Sequence, residues 1–431
     1  MPAPPHDGPR PPGRSGDAAP VRPAPIVGAG RGEPGAAVSR PGGVLRTAAA
    51  CLGPGTAPAG SEGFRGTAGP ARICPLDERR PRHGGRMTAA ERAARRIAGA
   101  PPDGPDGPSG HALAAALRDT GLLADCEALA HHPADPRDLV HALAVIGRAS
   151  LSAGRILEGH VNAVKLLHLH GGPLEPIRDG KLHGIWGADG PAPVRIENGV
   201  LRGQKLFCSG SDVLDRIIVT ARQGDRPQLL LFTRDQLADR LFPDEWQVSG
   251  MRATASGRCD LDGLAVADAV PLGQPGDYLT EPHFHGGVWR YAAVHLGGMR
   301  ALMSITAEQL QVRGQADAPL QAMRLHRMVT ACETARLWLE QAACAVERPE
   351  ATAADAETAI LARLKTAEEA ATVLSLADQA LGAASFATRH PADRIRRDLN
   401  FYLRQADPDG LAMGSLARTL ADQALRARWI G

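Results

Sequence analysis

The chain has 431 residues, a formal net charge of +2 and 43% hydrophobic residues, enough for two or three domains but without the basic surface that nucleic acid or an anionic membrane would require. Its cysteines, at Cys51, Cys74, Cys126, Cys208, Cys259, Cys332 and Cys344, are scattered, odd in number and never spaced C-x-x-C, which argues against a disulfide framework or a zinc site and for a reducing cytoplasm. No apolar run approaches the roughly 18 residues of a membrane helix, and no signal-peptide core is evident, so the chain reads as soluble and unexported.

Residues 1–86 are a Pro/Gly/Arg/Ala mixture with almost no aromatic residues and no sustained period. They cannot bury enough apolar area to offset chain entropy and are expected to be disordered. Met87-Thr88-Ala89-Ala90-Glu91 looks like a natural start, so the preceding stretch reads as an over-extended gene start, with a basic regulatory arm as the alternative. From His111 the pattern is helical: Leu113, Ala116 and Leu117 predict one amphipathic helix closed by Thr120-Gly121. Leu139, Leu143, Ile146 and Ser150 predict a second helix from Asp138 to Leu157, started by Asp135-Pro136. A third runs through Val161, Val164, Leu167 and His168 to the stop Gly171-Gly172-Pro173.

Between about 181 and 275 the period shifts. Val194 to Glu197 and Val200-Leu201, joined by Asn198-Gly199, predict a hairpin with a type I′ turn. Further short strands are expected at Leu206-Phe207, Arg216 to Thr220, Gln228 to Phe232, Trp246 to Val248 and Arg258 to Val266. After Pro282 the helical period returns in three long stripes, Trp289 to Leu310, Leu325 to Val346 and Leu364 to Leu381, the mark of a helical bundle. Gly297-Gly298 inside the first stripe costs about 1 kcal/mol per glycine relative to alanine, so a close helix contact or ligand approach must compensate. The domains are therefore expected at 87–180 (helical), 181–282 (β) and 283–431 (helical).

Gly250-Met251-Arg252-Ala253-Thr254-Ala255-Ser256-Gly257, Gly286-Gly287-Val288-Trp289-Arg290-Tyr291-Ala292-Ala293, His390-Pro391-Ala392-Asp393-Arg394 and Arg397-Asp398 resemble motifs of the acyl-CoA dehydrogenase family of flavoproteins. The resemblance covers Met87 to Gly431 and implies an α+β fold: an N-terminal helical domain, shorter than usual here, a central β-barrel-like domain and a C-terminal four-helix bundle. It further implies FAD, a small-molecule substrate such as an acyl-CoA, an electron acceptor or flavin reductase, and a homodimer or homotetramer with the cofactor partly between subunits.

Site residues carry over one at a time. The turn Arg202-Gly203-Gln204-Lys205 precedes Leu206-Phe207-Cys208-Ser209, where the family has an aromatic residue beside the flavin ring and a Ser or Thr touching its reactive edge. Phe207, Cys208 and Ser209 are the implied cofactor contacts, chemically sensible because a flat apolar face stacks on the ring while a hydrogen bond tunes it; alternatively Phe207 is a strand core residue and Ser209 a turn residue. Arg313 stands near the family's arginine to a neighbouring subunit's cofactor, although Gln315-Ala316-Asp317 lacks the family's aromatic-Gly pair, and a solvated arginine is the alternative. Arg252 and Arg290 match on the substrate side, or are buried ion-pair partners. Arg394, Arg397 and Asp398 are expected to fix a turn near the site.

The family's dehydrogenases remove an α proton with a glutamate, and such a base must lie within hydrogen-bond reach of its proton. The family's two glutamate positions fall here on Ala406 and Trp289. Asp407, Glu281, His283 and His285 are the weak substitutes. Three readings stand: an FAD-dependent dehydrogenase, a flavin-dependent monooxygenase that needs no such base, and a catalytically silent flavin- or acyl-binding subunit, to which the departure Ile185-Trp186-Gly187-Ala188-Asp189 would suit. No phosphate loop, H-E-x-x-H or G-x-S-x-G is present. His168 and His170 are two apart on a helix, on different faces, so no metal is expected.

Overall fold

The computed structural model describes residues 87–405 and 407–431; the stretch 1–86, expected to be disordered, and Ala406 lie outside the described residues. The first helix, α1 (Ala89–Gly99), is opened by a capping box in which the Thr88 hydroxyl accepts from the Glu91 amide at 3.1 Å and the Glu91 carboxylate accepts from the Thr88 amide at 2.8 Å. The sequence reading took this segment only as a start and missed the helix that its Thr-x-x-Glu pattern encodes. There follow α2 (Gly110–Arg118), α3 (Leu122–Ala130), α4 (Pro136–Ala149) and α5 (Leu151–Leu169), with a short α6 (Glu175–Arg178).

The helix expected from Asp138 to Leu157 is broken at Ser150. This residue is extended (φ −161°, ψ 123°); its amide donates to Ile146 and ends α4, while its hydroxyl accepts from the Ala153 amide and opens α5. One serine thus caps two helices, and the second half of the expected helix merges with the third.

The central region holds β1 (His183–Trp186), β2 (Arg195–Glu197), β3 (Val200–Arg202), β4 (Gln204–Lys205), β5 (Arg216–Gln223), β6 (Arg226–Thr233), a one-turn α7 (Arg234–Leu237), β7 (Leu241–Phe242), β8 (Arg258–Asp260) and β9 (Val270–Leu272). Asn198 (φ 52°) and Gly199 (φ 77°) are both left-handed, as the expected type I′ turn between β2 and β3 demands. One sheet runs β3-β2-β5-β6-β9, and β1 pairs parallel with β5. β1 takes Arg216 to Val219 and β2 takes Arg222, so they share successive stretches of β5. A second sheet runs β4-β8-β7.

Two expected strands are absent. Leu206-Phe207 leaves the sheet because Phe207 has φ 53°, and Trp246 follows a 3-10 turn over Pro243–Glu245. The strand expected from Arg258 to Val266 stops at Asp260, short of the left-handed Gly263.

The C-terminal bundle is α8 (Val288–Val312), α9 (Pro319–Val346), α10 (Ala356–Leu381) and α11 (Pro391–Tyr402), extended by α12 (Pro408–Ala421) and α13 (Gln423–Trp429). Its central helix α8 packs against α9, α10 and α11 and also against α4 and α5, which is why Val288 to Met299 is buried on every face. The helical layer, the sheets and the bundle meet around the first turns of α8, and the site lies there.

Candidate active site

A cavity of about 980 Å³ opens between α5, the segment after β1, the loops around Ser209 and Ser256, and the start of α8. Its two ends differ in chemistry.

At one end Phe207 is 59% exposed. Trp246 meets its edge at 5.9 Å, and Phe401 meets Trp246 at 5.5 Å and 90°. Beside this aromatic group runs a row of hydroxyls: Thr254 donates to the Met251 carbonyl, Ser256 donates to Thr254 at 2.7 Å, and the Ser209 hydroxyl lies 3.0 Å from that of Ser256. The buried Trp186 indole donates to the Ser209 carbonyl at 3.1 Å. Lys205 is buried, bonded to Asp189 at 2.5 Å and Thr220 at 2.8 Å, and pins the segment after β1 that forms this wall.

Phe207, Met251 (φ 59°) and Ala255 (φ 42°) are all left-handed without being glycine, a strain of order 1–3 kcal/mol each that the surroundings must fix. The Met251 amide donates to the Asp398 carboxylate at 2.6 Å, and Ser211 donates to the Ala255 carbonyl at 2.6 Å. Burial pushes Asp398 up to about 6, against the hydrogen bond from Met251. A β-carbon on Gly250 would lie 2.3 Å from the Arg397 carbonyl oxygen, so only glycine lets this turn rest on α11. Arg397 ties Asp106 at 2.8 Å to Asp393 and the Ser249 carbonyl, while Arg394 packs on Gly107. This is the expected structural role of the Arg-Asp motif. The exposed Phe207 face and the hydroxyl row suit a planar heteroaromatic ring with a polar edge.

At the other end Arg155, Glu158, Asn162 and Lys165 form a stripe along α5. Both oxygens of Glu158, which is 1% exposed, are taken by Arg155 and Asn162. Asn162 accepts from Arg290 at 3.0 Å, Arg290 donates to Glu347 at 2.6 Å, and Lys165 donates to the other oxygen of Glu347 at 2.7 Å. Burial alone would raise Glu347, but Arg290 and Lys165 hold it below the usual carboxylate range; burial lowers Lys165 in turn, opposed by Glu347. Tyr278, Tyr291 and Tyr402 complete this end, burial pushing Tyr278 up to about 12. The Tyr402 hydroxyl has no hydrogen-bond partner within the protein, and the Tyr291 hydroxyl faces the Arg363 guanidinium.

The expected residues divide. Phe207, Ser209, Arg290, His283 and His285 lie on the cavity wall. Cys208 is buried behind it, its thiol donating to the Lys205 carbonyl. Arg252 is off the wall in an ion pair with Asp106 at 3.0 Å. Arg313 caps the exposed end of α8 and donates to Gln309 at 3.1 Å.

Among the base candidates, Asp407 caps α12 by accepting from Gly410 at 3.1 Å and borders a separate, smaller recess. Glu281 is engaged by the ring and amide of His285, and burial, followed by Lys165, lowers His283 to about 4. Trp289 is fully buried. The carboxylates on the cavity wall among the described residues are Glu158 and Asp277. Sequence reading passed over Glu158 and its stripe, although four polar residues on one face of an otherwise apolar helix are a legible signal. No cluster able to hold a metal, and no helix long and apolar enough to cross a membrane, occurs among the described residues.

Residues 278–403 match the family model of the acyl-CoA dehydrogenase C-terminal domain. Benzylmalonyl-CoA dehydrogenase of Aromatoleum aromaticum is 27% identical over 227 residues, 48% of this chain and 57% of that relative, so the match spans little more than half of the relative's length. Among solved structures, TdsC of Paenibacillus sp. A11-2 with FMN and indole, described as a dibenzothiophene monooxygenase, is similar with TM-score 0.63 and 19% identity over 75% of this chain and 94% of that one. XiaF of a Streptomyces species with FADH2 is similar with TM-score 0.59 and 18% identity over 76% and 94%.

Proposed function

Since this chain is a divergent member of the acyl-CoA dehydrogenase family, we propose that it is a flavin-dependent oxidoreductase acting on an acyl thioester or a related small molecule. The observation that carries this is the exposed face of Phe207 set beside the hydroxyls of Ser209 and Ser256 on the wall of one large cavity. We take the flavin to be FAD; the similar structures hold FMN in one case and FADH2 in another. When bound, it supplies a two-electron acceptor in a dehydrogenase or oxygen activation in an oxygenase.

In this reading Phe207, braced by Trp246 and Phe401, stacks on the ring, and Ser209, oriented by Ser256 and Thr254, bonds its polar edge. Tyr291 and Tyr402 offer hydroxyls to a substrate oxygen, and Arg290 is held in place by Glu347 and Asn162. Arg313 is assigned to a cofactor of a neighbouring subunit. A homodimer or homotetramer is supported by apolar residues left exposed, Met413, Leu416 and Leu420 along α12 and Leu320 and Met323 on α9; a monomer by light scattering would contradict it. A cytoplasmic location accords with the buried thiols Cys126, Cys208, Cys259 and Cys332.

Visible absorption of the purified chain followed by anaerobic titration with acyl-CoA thioesters tests the proposal. Flavin bleached by a thioester establishes a dehydrogenase. The second reading, a monooxygenase fed by a flavin reductase, is favoured by the buried Trp289 and the capping role of Asp407; flavin that a reductase but no thioester reduces would establish it. A protein without flavin would be a silent subunit, and the proposal would fall.

A further inference from the structure

Three cations line the cavity, Arg155, Lys165 and Arg290, and their side chains are 15%, 2% and 3% exposed. Two carboxylates face them. Glu158 is taken by Arg155, and Glu347 is shared by Lys165 and Arg290, which leaves one positive charge over. Among the other ionisable groups of the wall, Asp277 lies beside His170, Arg404 is exposed and His285 is paired with Glu281, while Arg363, buried behind Tyr291, is held by the Leu403 and Gln405 carbonyls. His283 is half-buried and uncharged near neutrality, since burial lowers it to about 4.

An unbalanced buried charge is costly, and proteins keep one where a ligand or partner balances it. Hydrogen-bonding capacity is unspent in the same place. The Arg290 Nε and the Tyr402 hydroxyl are buried with no partner, and Tyr402 is itself 3% exposed. One surplus cation and the idle donor of Arg290 call for an anion that accepts hydrogen bonds on this part of the wall. A cavity built for a plain hydrocarbon chain would carry apolar side chains at these positions.

Resting on the thioester reading above, we infer that the substrate bears a carboxylate on the part that enters the cavity beside α5, received by Lys165 and Arg290. Arg155 stays with Glu158. Lys165 supplies the charge that discriminates, because its loss would leave two closed pairs, Arg155 with Glu158 and Arg290 with Glu347.

The test is calorimetric titration of the full chain, with FAD in excess so that the flavin's own phosphates are already provided for, using adipyl-CoA and hexanoyl-CoA. These differ only in a terminal carboxylate. The expected result is that adipyl-CoA binds about tenfold or more tightly than hexanoyl-CoA, as one charge-assisted contact allows. Lys165→Met should abolish or reverse that preference while melting no lower than the parent protein, since it closes the charge balance. Equal binding, or a preference for hexanoyl-CoA, overturns the inference and leaves the thioester reading standing. A Lys165→Met variant that keeps the adipyl preference also overturns it, and failure of both thioesters to bind removes the inference and the thioester reading together.

Discussion

A β-carbon built on Gly297 of α8 would fall 2.7 Å from the carbonyl carbon of Gly147 in α4 and 2.3 Å from the Ala144 carbonyl oxygen. The two helices therefore touch backbone to backbone, and this contact joins the N-terminal helices to the bundle beside the cavity. Gly297→Ala is expected to destabilise the protein by about 2–3 kcal/mol, because neither backbone can give way. Gly298→Ala meets only the Leu151 side chain, nearest at 2.9 Å; it should cost less than about 1 kcal/mol, the better helix propensity of alanine offsetting part of the crowding. Chemical denaturation of the pair checks the contrast, and equal effects would contradict the contact.

Glu347 accepts from both Lys165 and Arg290 and is fully buried. Glu347→Gln removes its charge and leaves both cations without an anion, so a loss of about 3–5 kcal/mol is expected. The variant's urea midpoint measures it. A loss under about 1 kcal/mol would mean that the network is solvated.

Much of this fold is legible in the residues that meet local demands. Asn198-Gly199 encodes its turn, Asp135-Pro136 starts α4, and the long stripes of α8, α9 and α10 follow from period alone. Gly297 announced a close approach because its cost inside a helix had to be met. Ser150 was not legible: a serine at an apolar spacing reads as helix interior, and only the packing of α4 and α5 against different neighbours turns it into a double cap. Motif likeness pointed to Phe207 and Ser209, which line the cavity, whereas the left-handed turn that exposes Phe207 has no signature in a non-glycine sequence. Arg155, Glu158 and Lys165 were passed over because charges on a helix ordinarily face water, whereas α5 is enclosed by α3, α4 and β1 near it in sequence and by α8 far from it.

His160 joins α5 to the β domain. Its Nδ1 accepts from the His183 amide at 3.1 Å, which leaves Nε2 to donate to the Leu123 carbonyl at 3.1 Å. Only the neutral ring with its proton on Nε2 satisfies both, and burial accordingly lowers His160 to about 3. The folded value lies below the unfolded one, so the stability His160 contributes is full above about pH 6.5 and is lost on acidification toward 3, by about 1.4 kcal/mol per pH unit. Nitrogen-15 spectra at pH 5 should show the Nε2-protonated tautomer; a charged ring there would refute the arrangement.

Phe207 is 59% exposed and contributes little to the core. Phe207→Ala should leave the melting of flavin-free protein within about 0.5 kcal/mol of the parent, yet weaken flavin binding about tenfold, the loss of one aromatic stacking contact of about 1.4 kcal/mol. Fluorescence titration with FAD separates the two effects. Unchanged flavin affinity would return Phe207 to an ordinary surface residue.

Asp398 gives the opposite pH dependence to His160. Its carboxyl sits at about 6 in the fold, above the ordinary 3.8, because burial disfavours the charge more than the Met251 amide favours it. The protonated form is therefore the one the fold prefers, and the contribution of Asp398 to stability falls as pH rises from about 4 to 6 and stays low above. Asp398→Asn keeps a carbonyl oxygen to accept from Met251 while removing the titration. The difference in unfolding free energy between parent and variant should shift in the variant's favour by about 2–3 kcal/mol from pH 4 to pH 7, at about 1.4 kcal/mol per unit of raised pKa. Parallel denaturation curves across that range would show that water reaches Asp398 and that the strained turn at Met251 is held by other means.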